Sequence, residues 1–174
     1  MLAPRKTLWS TPKSVIDEAA DLAVIEPNDV VYDVGCGDGR VLLHLASKPN
    51  TARSFIGIEI NVERAQLARE NIQSKILSRE INIDIRCENA LDVKDYAKAT
   101  VIFLYLIPRG LRLIKPLLIA AAKEKGGCIR VITYMSPFEN IKFIKRVFCK
   151  VDHQPSACWP VYLYHFNGQE LQEA

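Results

Sequence analysis

The sequence predicts an α/β fold, a mostly parallel sheet with helices on both faces and an antiparallel hairpin at its C-terminal end. Three observations carry that expectation. Strand-length apolar runs alternate with segments of helical period along most of the chain, the pattern of a sheet wound by crossover helices. The first such run, Val30–Val34, leads straight into a glycine-rich turn that opens the next helix. The last two strand-like stretches, 143–151 and 161–166, are separated by a turn around Asp152-His153-Gln154-Pro155, which reads as a hairpin connection.

Taken in order, Thr11-Pro12 reads as an N-cap followed by proline at the first helical position. Val15, Ile16, Ala19, Leu22 and Ala23 then form one apolar stripe, which should end near Glu26-Pro27-Asn28-Asp29. Val30–Val34 is the first strand, and a helix should follow from about Gly39 to Ser47. Phe55–Ile60 is the second strand. Val62–Leu77 carries Ala65, Ala68, Ile72 and Ile76 at helical spacing. Ile81, Ile83 and Ile85 alternate with Asn82, Asp84 and Arg86, as in a half-buried strand. Thr100–Ile107 is almost wholly apolar and belongs in mid-sheet. Leu111, Ile114, Leu118 and Ala121 mark the next helix, with Pro116 expected to start a fresh turn and Gly126-Gly127 to close it. Cys128–Tyr134 is the fifth strand, and the hairpin completes the sheet. Residues 1–174 are expected to form one domain, with 1–8 and 168–174 frayed.

Composition narrows the function. An apolar share of 49% and a charged share of 25% are those of an ordinary globular chain. No apolar run reaches the roughly 18 residues of a membrane span. Met1-Leu2-Ala3-Pro4-Arg5-Lys6-Thr7 has no secretory apolar region, so an intracellular, by default cytoplasmic, reducing location is expected, with a mitochondrial one left open. The five cysteines and three histidines are scattered, without a C-x-x-C pair, so neither a metal site nor a Cys-His nucleophile is predicted. Residues 98–150 hold 11 of the 23 basic residues and two of the 20 acidic ones. Two readings stand for this basic segment: a solvated face, or attraction to an acidic protein, an anionic membrane surface or a nucleic acid.

The chemistry concentrates at Asp33-Val34-Gly35-Cys36-Gly37-Asp38-Gly39. Glycines here let backbone approach a ligand closely. Dinucleotide loops use G-x-G-x-x-G, but the third glycine's place is held by Arg40, so the pattern is G-x-G-x-G. Glu59, twenty residues beyond Gly39 at the end of the next strand, is placed to accept the two hydroxyls of a ribose, and left buried without such a ligand it should carry an unpaired charge. Asp33 either faces the ligand or caps the glycine turn.

Val31-Tyr32-Asp33-Val34-Gly35-Cys36-Gly37-Asp38-Gly39-Arg40 with Gly57-Ile58-Glu59 resembles motif I and the acidic strand end of class I S-adenosylmethionine-dependent methyltransferases, over roughly residues 9–166. Trp9-Ser10-Thr11-Pro12, the GDGR form of the loop, and Ala99–Pro108 followed by Leu111-Arg112-Leu113-Ile114-Lys115-Pro116 are similar to the lysine methyltransferases that act on ATP synthase subunit c and the adenine nucleotide translocase, and to their bacterial relatives. The resemblance implies a Rossmann-like sheet and S-adenosyl-L-methionine as cofactor. It implies Asp33 and Gly35 near the methionine amino group, Asp38 at the methionine end, Glu59 on the ribose with Ile60 beside it, and Asn89-Ala90 at the adenine. Cys36, Gly37, Gly39 and Leu104 complete the implied cofactor set, and Thr11 either closes the methionine side or only caps its helix.

Methyl transfer from a sulfonium is an in-line displacement that requires positioning rather than a covalent catalyst. The acceptor site should lie at Leu104-Tyr105-Leu106-Ile107-Pro108, where the crevice opens. That segment holds no carboxylate or amide, which tells against methylation of base amino groups and glutamine. A lysine acceptor must first lose a proton, at a cost of roughly 4–5 kcal/mol at pH 7. Tyr105 either receives a hydrogen bond from the amine or is a core aromatic, and Tyr162, Tyr164 and Phe166 read as strand packing rather than an aromatic cage. A lysine in a protein substrate is the leading expectation; RNA or a small molecule as acceptor, or a noncatalytic cofactor-binding subunit, are the alternatives.

Overall fold

The computed structural model describes residues 10–75, 80–151 and 154–167, with the side chains of 154 and 155 left aside. The expected frayed ends, Trp9, the last turn of the helix expected to reach Leu77, and the hairpin turn at 152–153 lie outside the described residues. The elements are α1 (Lys13–Ala23), β1 (Val30–Val34), α2 (Arg40–Ala46), β2 (Ser54–Glu59), α3 (Val62–Gln73), β3 (Asn82–Cys87), a 3-10 turn (Tyr96–Lys98), β4 (Val101–Leu104), α4 (Pro108–Lys125), β5 (Ile129–Tyr134), β6 (Lys145–Val151) and β7 (Gln154–Phe166).

They form one seven-stranded sheet in the order β3-β2-β1-β4-β5-β7-β6. The first five strands are parallel, and β7 runs antiparallel between β5 and β6. The chain leaves β1 outward through β2 and β3, then returns to β4 on the other side of β1, so the strand order reverses beside β1. In open α/β sheets the carboxyl end of such a switch point is where ligands bind.

Both sheet faces are covered, as the strand sequences demand. β1 and β4 are apolar almost throughout because they are buried on both sides. One face packs Val15 and Ile16 of α1, Leu42 and Leu45 of α2, and Ala65 and Ala68 of α3 against Phe55, Phe103 and Ile132. The other packs Leu111, Ile114 and Leu118 of α4 and Tyr96 of the 3-10 turn against Tyr32, Ile102 and Tyr164. Each fully buried side chain of this size contributes about 1.5–3 kcal/mol.

Several boundaries differ from the sequence reading. The largest difference is β7, which starts at Gln154 and not at Val161, so Gln154-Pro155 belong to the strand and not to the turn, while β6 starts at Lys145 and not at Phe143. Helix α1 is capped by Pro12 and not by Thr11: Pro12 is extended at ψ 149° and its carbonyl accepts from Val15 and Ile16. Helix α3 ends at Gln73, with Ser74 as C-cap. Strand β4 stops at Leu104, where β1 also ends, because beyond Val34 the partner chain turns away at Gly35. Helix α4 is continuous through Pro116, which lies on its exposed side, where water can take the carbonyl that proline leaves without a donor. Helix α4 starts at Pro108, earlier than the apolar stripe from Leu111 marks it, and Gly126 at φ 64° closes it as expected.

Candidate active site

The glycine turn is built by three left-handed residues, Gly35, Gly37 and Gly39, at φ 85°, 57° and 78°. Gly35 and Cys36 donate to the Ile58 carbonyl at 2.7 and 3.0 Å, anchoring the turn on the end of β2, and Gly39 donates to the Cys36 carbonyl at 2.9 Å. A Cβ on Gly39 would stand 3.2 Å from Cβ of Ala68, so α3 fixes how closely the turn is packed. Asn71 of α3 adds a clamp that sequence reasoning missed, its side-chain amide donating to the Asp38 carbonyl at 3.0 Å.

Glu59 is buried against this turn. Its Oε2 accepts from the Gly37 amide at 3.0 Å and its Oε1 from the Asn61 amide at 2.9 Å. The charge that the sequence argument treated as unpaired is therefore partnered by backbone. Glu59 shapes the turn, and each oxygen retains a lone pair for a further donor. Asn61 in turn caps α3, accepting from the Arg64 amide at 2.9 Å.

Asp33 is different. It is 3% exposed, and its Oδ2 has no hydrogen-bond partner among the described residues. Burial first, then the Glu59 and Asp38 carboxylates, push its acid up to about 8. A buried acceptor left in this condition is costly unless something supplies a donor. Asp38 is already served: Arg40 holds it through Nη2 at 2.5 Å and Nε at 3.0 Å. Burial raises its acid, but the Arg40 hydrogen bonds and charge outweigh that and keep it below the usual carboxylate range.

The remaining expected residues fall into two groups. Asn89 and Ala90 follow β3, next to Glu59, whose carbonyl accepts from Glu88 at 3.1 Å. Asn89 is held in a local turn, its Oδ1 accepting from Leu91 at 3.2 Å and its amide donating to Asp92 at 3.0 Å, while Ala90 is pinned by the Tyr96 hydroxyl at 2.9 Å. Ile60 is half-buried at the end of β2. Cys36 and Leu104 point into the core, Cys36 beneath the turn and Leu104 on the α4 side, so their side chains are taken up by packing. Thr11 is buried just ahead of α1.

Across the switch point, Leu106 closes over the turn, 3.6 Å from where a Gly35 Cβ would be. Tyr105 beside it is half-buried; its ring stands 4.7 Å from that of Tyr134, and its hydroxyl donates to the Met135 thioether at 3.0 Å. Met135 itself sits at φ 68°, a strained conformation for a side chain of this kind, at the carboxyl end of β5.

A bend of positive-φ glycines, two buried carboxylates and a crevice at the switch point together fit an adenosyl amino acid. A family model for the ANTKMT methyltransferase domain matches residues 33–145, from Asp33 to the first residue of β6. The chain belongs to this family. A protein-lysine N-methyltransferase of Saccharolobus islandicus is 33% identical to this methyltransferase over 124 residues, 71% of the chain and 73% of that protein. An RNA methyltransferase of Salinibacter ruber, solved in complex with S-adenosyl-L-homocysteine, superposes with a TM-score of 0.76 at 25% identity over 95% of this chain and 100% of that one. The magnesium protoporphyrin IX methyltransferase of Synechocystis, at 13% identity and a TM-score of 0.66 over 89% of this chain and 79% of its own, shares the fold. The methyltransferase is thus a class I enzyme whose cofactor is S-adenosyl-L-methionine.

Proposed function

We propose that this enzyme methylates the ε-amino group of lysine in a protein substrate, with the cofactor held across the glycine turn. The observation that carries the cofactor assignment is the partnerless Asp33 oxygen: an ammonium beside it supplies both a donor and a compensating charge. Glu59, with lone pairs to spare beyond its two backbone donors, takes the ribose hydroxyls. The positive-φ glycines admit the ligand backbone-close, and Asp38, neutralised by Arg40, borders the methionine end without adding net repulsion. Asn89, Ala90 and Ile60 flank the adenine, and Thr11 closes the methionine side.

S-adenosylmethionine supplies the electrophilic methyl group. The protein must bring a neutral amine into line with it and exclude water. Leu106 and the half-buried Tyr105 line that approach. The Tyr105 hydroxyl donates to the Met135 thioether, and its oxygen can accept a hydrogen bond from an incoming amine. An apolar crevice lowers the pKa of a lysine entering it, which offsets part of the deprotonation cost.

The protein-lysine reading is supported by the Saccharolobus relative and by a strand end, 104–108, without carboxylate or amide. A second reading, RNA as acceptor, is favoured by the Salinibacter relative and by the basic segment 98–150. One assay separates them. Purified enzyme with methyl-labelled cofactor and cell extract should place label on lysines of proteins, read by peptide mass spectrometry; label confined to RNA or to small molecules would overturn the lysine reading while leaving the cofactor site intact.

A further inference from the structure

Strand β7 pairs with β5 only through Val161–Phe166, so residues 154–160 and the end of β6 run past the carboxyl edge of β5 as a projecting arm. One face of this arm is covered: Cys149 and Val151 of β6 are buried in the cluster that contains α1. On the opposite face of β6 Arg146, still beside the part of β7 that pairs with β5, and Phe148, at the base of the arm, stand in register with Tyr162 and Pro160.

That opposite face and the segment leading into it are open. Residues 142–146 are exposed without interruption. Ile144 is 60% exposed, Phe148 57% and Phe143 37%, although each is large and apolar. Arg146 lies over two rings, 5.5 Å from Phe143 and 4.8 Å from Phe148, and Phe143 leans edge-on against Tyr162 at 5.4 Å. Between Asn140 and Val151 there are four cations, Lys142, Lys145, Arg146 and Lys150, and no carboxylate. The preceding acid, Glu139, is taken by Arg112 at 3.1 Å.

Lysines alone on β6 would be explained as protection of an edge strand against pairing. They do not explain Ile144 and Phe148, which cost free energy in water wherever they are left exposed. A single-stranded nucleic acid would use the cations and stack on open rings, yet Arg146 occupies both rings and Ile144 has no π face to offer. An acidic peptide would pair with the cations and need its own apolar groups in matching register. A bilayer with anionic headgroups supplies both chemistries at every point, with no register to satisfy.

We propose that the strip Lys142–Lys150 docks on an anionic lipid bilayer by the face opposite Cys149 and Val151, Ile144 and Phe148 entering the interface and Lys142, Arg146 and Lys150 lying among the headgroups. The attachment is peripheral: among the described residues no helix is long and apolar enough to cross a membrane. It does not depend on which acceptor the enzyme methylates.

The test is co-sedimentation of the full chain with phosphatidylcholine vesicles, with and without phosphatidylglycerol, over a salt series. Binding is expected only with phosphatidylglycerol, weakening as salt screens the cations. Ile144→Ser combined with Phe148→Ser should lower partitioning about tenfold or more, and Lys142→Gln and Lys150→Gln about fivefold each. The variants should bind cofactor like the parent by calorimetry, which reports that they are folded. Absence of binding to the anionic vesicles overturns the proposal, as does binding that these substitutions leave unchanged, or retention by single-stranded RNA or an acidic peptide in preference to the vesicles.

Discussion

Two aspartates four residues apart, at opposite ends of β1, show how one fold uses the same side chain for opposite purposes. Asp29, at the amino edge, is buried and fully served. Arg130 of β5 forms an ion pair with it, the Thr100 hydroxyl donates to it at 2.6 Å, and the Glu26 amide at 2.7 Å. Arg130 also holds the Ala23 and Val24 carbonyls at the end of α1, so this carboxylate staples α1, β4 and β5 together. Asp33, at the carboxyl edge, is just as buried, yet its neighbours are carboxylates and one oxygen has no donor. Burial alone therefore does not mark a site. What separates the two is the missing donor, which falls at the edge where the strand order reverses.

The comparison can be broken most forcefully at the amino edge. Arg130→Met keeps the stem of the side chain and leaves Asp29 buried without its cation. It should destabilise the protein by about 3 kcal/mol, measured by denaturant unfolding, with cofactor affinity of the folded protein unchanged. A loss of affinity without a loss of stability would show that the two ends are not separable.

At the carboxyl edge the expected signs reverse. Asp33→Asn should weaken cofactor binding by roughly 1.5–3 kcal/mol in a calorimetric titration, the worth of a hydrogen bond to a charged group. The same group sets a pH dependence. Its acid sits at 3.8 in the ordinary case and at about 8 in the fold, so the folded state holds a proton that the unfolded chain has released. Stability measured without cofactor should fall as pH rises from about 4 to about 8 and then level off, and Asp33→Asn should flatten that slope. Binding of a cationic amino group should strengthen over the same range as the carboxylate forms. Stability independent of pH across this window in both proteins would remove Asp33 from the account.

A smaller effect, about 1–3 kcal/mol of cofactor affinity, is expected for Glu59→Ala, because its backbone contacts to Gly37 and Asn61 are lost with any ribose contact. Amide hydrogen exchange at Gly37 tells the two apart, since it should quicken even without cofactor. The smallest is Gly39→Ala, about 1 kcal/mol of stability, from a side chain forced to φ 78° and set against Ala68.

The site was legible in sequence to the extent that its demands fall on backbone. Three left-handed positions need glycine, and an acid at the end of an apolar run announces Glu59. The sheet was legible for the same reason, since strands buried on both faces must be apolar. What stayed hidden depends on partners distant along the chain. Neither Asn71 reaching Asp38 nor Tyr105 resting on Met135 leaves a periodic trace. The end of β4 was hidden because an apolar run does not say where its neighbour turns away, and Pro116 looked like a break because the sequence does not say which side of α4 meets water. The charge of Glu59 is compensated by the Gly37 and Asn61 amides, which no side-chain pattern records.

Beneath the glycine turn, Cys36 is wedged so tightly that a Cβ on Gly57 would lie 2.8 Å from its sulfur, and burial raises its thiol well above the ordinary range. A thiol so enclosed stays dormant toward alkylating reagents until the bend above it lifts. Its modification rate, resolved by peptide from those of exposed Cys87, Cys128 and Cys158, is a built-in clock for how often that bend breathes.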